Sequence, residues 1–113
     1  MERIVEQTLL YDFYGELLTE HQKKIYEDVV FNDLSLSEVA QEQGISRQGV
    51  HDLIKRCTKI LGDYEEKLKL VDKFLKTKKM VAEIHTLTRK YMDTGDITLL
   101  HQVEQISSEI SRL

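Results

Sequence analysis

Leu36-Ser-Glu-Val-Ala-Gln-Glu-Gln-Gly-Ile-Ser-Arg-Gln-Gly-Val-His-Asp-Leu-Ile-Lys55 is the stretch on which the reading of this chain turns. It reads as a helix-turn-helix, a short helix that bends tightly into a second helix able to lie in a DNA groove. Ala40 is small where the two helices come closest. Gly44 stands at the bend, where a positive φ is needed and a Cβ would resist it. Ile45 is expected to plug the angle between the helices. Val39, Val50, Leu53 and Ile54 fall at spacings that face inward on both. Ser46 can cap the second helix, its hydroxyl accepting a bond from an orphan backbone N–H.

Outward from this motif every segment reads as helix, and no alternating run suggests a strand. A first helix is expected over about Arg3–Leu18, with Val5, Leu9, Phe13 and Leu17 every four residues and Leu10 and Tyr14 beside them. Thr19 with Gln22 forms a capping box that opens a helix to about Phe31, burying Ile25, Val29 and Val30. Asn32-Asp33 is a turn, and Ser35 with Glu38 is a second capping box opening the motif's short helix, which ends at Gln43. The second helix of the motif begins at Arg47. Cys57, Leu61, Tyr64, Leu68, Val71 and Leu75 alternate steps of four and three, a heptad seam. The helix is therefore expected to continue through Gly62, since a helical glycine costs only about 1 kcal/mol relative to alanine, and to break near Lys69. Val81, Ile84, Leu87 and Tyr91 carry an apolar face on to Thr94-Gly95-Asp96, a turn in which Asp96 can cap a last helix. There Leu99 or Leu100, Val103, Ile106, Ile110 and Leu113 share one face. The expected fold is all-α in two parts: a helix-turn-helix bundle over residues 1–61, and an antiparallel helical hairpin over 62–113 packed on the first part or on a second copy.

Length and composition bound the function. A chain of 113 residues suits one modest core with an appended helical piece. The single cysteine, Cys57, follows Leu53 by one turn and reads as a small core hydrophobe; one cysteine forms no internal disulfide, which points to a reducing, cytoplasmic compartment. The start Met-Glu-Arg-Ile develops no signal-peptide core, and no apolar run exceeds three residues, so no membrane span is expected. Residues 1–43 carry ten acidic and three basic side chains, residues 44–61 one acidic and four basic, and residues 62–113 nine of each. The one strongly basic segment is thus the second helix of the motif, where phosphate contacts would be needed. Acidic flanks would disfavour docking by any other face.

Arg47, Gln48, His51 and Asp52 are the candidates for base contact. Arg can bond guanine bidentately and Gln adenine. Lys55, Arg56 and Lys59 suit phosphates better. The alternative is a solvated polar face on an ordinary surface helix. A second basic stretch, Lys67, Lys69, Lys73, Lys76, Lys78 and Lys79, is a candidate for an RNA backbone, against the reading that lysines interleaved with acids make a solvated helix. His21, His51, His85 and His101 are scattered, without metal-ligand spacing. No phosphate loop, catalytic carboxylate pair or nucleophile–base order is present, so neither an enzyme nor a cofactor is expected.

Leu18-Thr19-Glu20-His21-Gln22, Leu34-Ser35-Leu36-Ser37-Glu38-Val39-Ala40, Gly44-Ile45-Ser46-Arg47-Gln48, Ile54-Lys55-Arg56 and Asp63-Tyr64-Glu65-Glu66-Lys67-Leu68 together resemble the YlxM family, small helix-turn-helix proteins of Gram-positive bacteria. The Asp63–Leu68 segment is not a general feature of helix-turn-helix proteins. The family is in turn similar to region 4 of sigma factors, which reads promoter DNA. The chain departs from these patterns at Glu20 in place of proline, Gly49 in place of alanine, and Asp28-Val29 where sigma factors carry Leu-Arg. Family genes neighbour those of the signal recognition particle (SRP). The resemblance therefore implies a DNA-binding regulatory protein of the SRP pathway. The alternative is an accessory factor that binds SRP protein or RNA and uses the helix-turn-helix only as a scaffold; a homodimer is compatible with either.

Overall fold

The computed structural model describes residues 3–113. Among them are α1 (Arg3–Tyr14), α2 (Glu20–Tyr26), α3 (Leu36–Gln43), α4 (Arg47–Leu68), α5 (Leu70–Thr94) and α6 (Ile97–Ser111), with no strand. The fold is all-α. The helices gather into two units that divide after Lys69.

In the first unit the helix starts form where the side chains dictate. Thr19 Oγ1 accepts from Gln22 N–H and the Gln22 side chain answers to Thr19 N–H; Ser35 and Glu38 repeat the exchange. Two orphan donors are satisfied at each start. At the end of α3, Gly44 takes φ +69°, and both its N–H and that of Ile45 turn back to Ala40 O. Ile25, Val39 and Val50 are fully buried here, Ala40 nearly so, and Val29, Leu34, Leu36, Leu53 and Ile54 pack around them. Ile45 does not join them. It is 36% exposed and lies beside the start of α4, because those four residues already fill the angle between α3 and α4.

A second, aromatic layer runs along α1. Tyr14 and Tyr26 are buried; Tyr11 stacks on Tyr26 (5.4 Å between centroids) and Tyr14 on Tyr64 (6.0 Å). The phenols do not end as orphans: Tyr11 donates to Glu27, and Tyr14 donates to Glu65 at 2.6 Å. This layer shifts the inward face of α1 by one position. Leu10, Tyr14 and Leu18 are buried, whereas Val5, Phe13 and Leu17 are exposed. It also shortens the helix. After Tyr14 the chain tightens into a 3₁₀ turn over Gly15–Leu17, where a Cβ on Gly15 would stand 3.1 Å from the Tyr11 ring.

Helix α2 likewise stops at Tyr26 and widens into a π-turn over Glu27–Phe31, with Asn32 N–H reaching Glu27 O at 2.9 Å. Inside it Asp28 is buried, held by Lys24 Nζ at 3.4 Å and Asn32 Nδ2 at 3.1 Å. Asp33 closes the turn at φ 57°. Helix α4 passes through Gly62 without a break and ends at Lys69, which takes φ 58° while its N–H bonds Glu65 O. The division therefore falls at Lys69 rather than at residue 61. Cys57 and Leu61 are fully buried, and Tyr64 is stacked on Tyr14, so residues 62–68 stay with the first unit.

The second unit is the antiparallel pair α5 and α6. Gly95 turns at φ 69°, and Asp96 caps α6 by accepting from Thr98 N–H (3.0 Å) and Thr98 Oγ1 (2.7 Å). Ile84, Leu87, Tyr91, Leu99, Leu100, Val103, Ile106 and Ile110 are half-buried, Val71 of α5 is buried, and α6 holds no buried residue. Val81 and Leu113 are exposed, against the expected face: Val81 lies outside the stripe through Ile84, Leu87 and Tyr91, and Leu113 lies beyond the last turn of α6. No described helix is long and apolar enough to cross a membrane.

Candidate nucleic-acid interface

Ser46 starts the candidate surface. It is extended, and its hydroxyl accepts from Gly49 N–H at 2.9 Å, so α4 opens with a satisfied cap. Val50, Cys57 and Leu61 are buried and Leu53 and Ile54 half-buried along one side of α4. At about 100° per residue the opposite half carries Gln48, His51, Asp52, Lys55, Arg56 and Lys59, and Arg47 sits at its edge, about 60° from Val50. All seven are exposed. The burial of one side dictates the exposure of the other, because a helix cannot bury a valine at 50 without turning residues 48, 51 and 55 outward.

These seven side chains are not equally available. Gln48 Nε2 donates to Asp52 Oδ1 at 3.0 Å, and His51 Nδ1 lies 3.7 Å from the same oxygen. Lys59 Nζ is 2.9 Å from Asp63 Oδ2, and that hydrogen bond raises the Lys59 pKa above the usual lysine value. Among the described residues, no ion pair involves Arg47, Lys55 or Arg56. Around the helix axis Arg47, Thr58, His51 and Lys55 lie within about 80° of one another, and Asp52, Lys59 and Arg56 follow on the other flank. One flank thus carries Arg47 and Lys55 without ion pairs among the described residues, and on the other Asp63 holds Lys59 while Asp52 accepts from Gln48.

The first flank borders a surface groove of about 480 Å³. Its polar lining is Arg3 and Gln7 from α1 with His51, Lys55 and Thr58 from α4. Val29, Leu36 and Ile54 supply the apolar lining. Arg3 and Gln7 were not marked by any sequence motif; only the packing of α1 against α4 brings them beside His51 and Lys55.

The sequence from residue 1 to 102 matches the family model described as "UPF0122: Putative helix-turn-helix protein, YlxM / p13 like". The chain belongs to this family. A UPF0122 protein of Acetivibrio thermocellus is 42% identical over 114 residues, covering 97% of each chain. One from Clostridium acetobutylicum is 37% identical over 109 residues, covering 93% of this chain and 94% of its own. One from Caldanaerobacter subterraneus subsp. tengcongensis is 51% identical over 77 residues, covering 68% of this chain and 66% of its own. The UPF0122 match spans α1 to α5 and enters α6, so the helix-turn-helix and the start of the hairpin fall within it. The family is described by a structural motif rather than by a reaction.

The remaining sequence candidates sit elsewhere. Lys76 pairs with Asp72 at 2.9 Å, and Lys78 lies over the Phe74 ring at 5.9 Å, so the second basic stretch is partly tied to its own helix. Among the described residues no three His, Cys, Asp or Glu side chains cluster as metal ligands. Cys57 is buried and its thiol is pushed up by that burial, the opposite of what an attacking thiolate requires.

Proposed function

We propose that this protein is a DNA-binding regulatory factor that lays the first turns of α4 in a major groove, with Arg47 and Gln48 nearest the base edges and Lys55 and Arg56 on phosphates. The observation that carries this reading is the exposed face of α4, where, among the described residues, Arg47, Lys55 and Arg56 stand without an acidic partner in a chain of net charge −4. Each phosphate neutralised releases condensed counter-ions from the DNA, and a cation that holds no carboxylate gives up no ion pair to make that contact. Docking would require Gln48 to leave Asp52 before it could address an adenine. The resemblance to the YlxM family supports the SRP pathway as the regulated process, in the cytoplasm. Arg47→Ala with Lys55→Ala should weaken binding and lower the slope of log affinity against log salt by about 0.9, for the one phosphate contact that Lys55 makes. The measurement is fluorescence anisotropy on duplex DNA at a series of salt concentrations. Identical slopes for wild type and the double variant would refute the proposal.

A second reading makes the helix-turn-helix a scaffold for SRP protein or RNA. The acidic first block favours it, with Glu6, Asp12, Glu16 and Glu20 exposed towards a basic partner. Salt-independent behaviour on DNA together with co-purification of the particle would favour this adaptor over the DNA reading.

A further inference from the structure

We infer that α1 supplies a second wall to the interface: the groove between Arg3 and Lys55 seats a backbone phosphate of duplex DNA while α4 occupies the adjoining major groove. This rests on the reading of α4 as the docking helix and assigns to it residues that no motif marks.

Charge singles out the groove. The residues before Gly44 carry ten acids and three bases. Of the three bases, Lys23 is held by Glu16 at 3.0 Å and Lys24 by Asp28 at 3.4 Å. Arg3 is the third, and it lies at the groove with His51 and Lys55; among the described residues that line it there is no carboxylate. A recess lined by Arg3, His51 and Lys55 within an acidic unit is complementary to an anion. The half-buried Val29, Leu36 and Ile54 reduce the water available to compete, which strengthens each charge–charge contact at the recess.

Geometry selects the anion. A helix with its side chains is about 10–12 Å across and the B-DNA major groove about 12 Å wide, so the flanks of a docked helix meet the sugar–phosphate walls. The flank carrying His51, Lys55 and Thr58 opens onto the groove, and Arg3 with Gln7 faces them from α1. A phosphodiester held there accepts from a guanidinium, an ammonium and an amide at once, while its sugar rests on the aliphatic lining; the Thr58 hydroxyl already donates to Ile54 O at 2.9 Å. Such contacts set the register of the protein on the duplex and read no sequence.

The test uses the full chain and a mixed-sequence DNA duplex, with affinity followed against salt. Arg3→Gln should reduce the salt slope by about 0.9, one phosphate. Gln7→Glu, which sets a carboxylate in the recess, should weaken binding at least as much at low salt. Arg3 is exposed, so Arg3→Gln should melt at the wild-type temperature; Gln7 is half-buried, so the melting temperature of Gln7→Glu is read beside its affinity, and whichever variant keeps the wild-type temperature carries the comparison. Wild-type slopes for both, alongside a reduced slope for Arg47→Ala with Lys55→Ala, would overturn the inference and leave the docking of α4 standing. Absence of salt-dependent binding by the wild type would overturn both. An Arg3 effect confined to an A-form RNA duplex would overturn the assignment to DNA.

Discussion

The two units of this chain are both built of helices yet bury their apolar side chains to different depths. In the first, Tyr14, Ile25, Tyr26, Val39, Val50, Cys57 and Leu61 are essentially sealed from solvent. In the second, the stripe shared by α5 and α6 is half-buried throughout, and a surface groove of about 490 Å³ opens beside Ala82, Leu87 and Ile106. Four helices crossing at angles can enclose a volume; two antiparallel helices can only share a seam. The first unit is therefore built to hold α4 in a fixed orientation. The hairpin depends more on its turn and its caps.

The largest expected effect tests that contrast directly. Ile25→Ala removes a fully buried side chain from the centre of the helix-turn-helix and should cost about 2–5 kcal/mol. Ile106→Ala, from the half-buried seam, should cost about 1 kcal/mol. Urea unfolding of both variants measures the difference, and equal losses would erase the distinction between the units.

A second effect concerns the hairpin alone. Thr98 bonds the Asp96 carboxylate through its hydroxyl and its backbone N–H, holding that carboxyl below the usual aspartate value. A depressed folded-state value means the contribution is present at neutral pH, above the unfolded value. It is lost as pH falls through the folded one. The Thr98 amide resonance should titrate below the ordinary aspartate range, and the amide shifts of Leu53 and Ile54 in the first unit should not follow it. A shift of both together would couple the units.

The smallest effect sits at the interface. Gly49→Ala gains helix propensity, worth about 1 kcal/mol at most, but its methyl would meet Ser46 Oγ at 3.1 Å. A net gain of about 0.5 kcal/mol is expected, read as a small rise in melting temperature, with the DNA salt slope unchanged. A loss would mean that the Ser46 hydroxyl cannot shift without giving up its bond to the α4 amide.

Much of this architecture was legible without coordinates because it is decided locally. Capping boxes at Thr19 and Ser35 and the caps at Ser46 and Asp96 need partners no more than three residues away. The left-handed turns at Gly44 and Gly95 are single-residue preferences. What periodicity missed is what aromatic packing imposed. Tyr11, Tyr14, Tyr26 and Tyr64 come from three helices. Their stacking rotated α1, truncated it at Tyr14 and accompanied a π-turn that no 3.6-residue pattern announces. The exposed face of α4 was readable for the same local reason, as the side opposite Val50, Cys57 and Leu61.

By itself, then, the sequence determined that the chain is helical, where its helices begin, and which side of α4 meets solvent, since each follows from short-range hydrogen bonding and from amphipathic spacing. The tertiary structure alone decided that the first unit extends to Lys69, that Ile45 stays at the surface, and that Arg3 and Gln7 stand across a groove from His51 and Lys55. Those outcomes depend on which side chains fill a shared volume, and contacts between residues far apart along the chain leave no periodic trace in it.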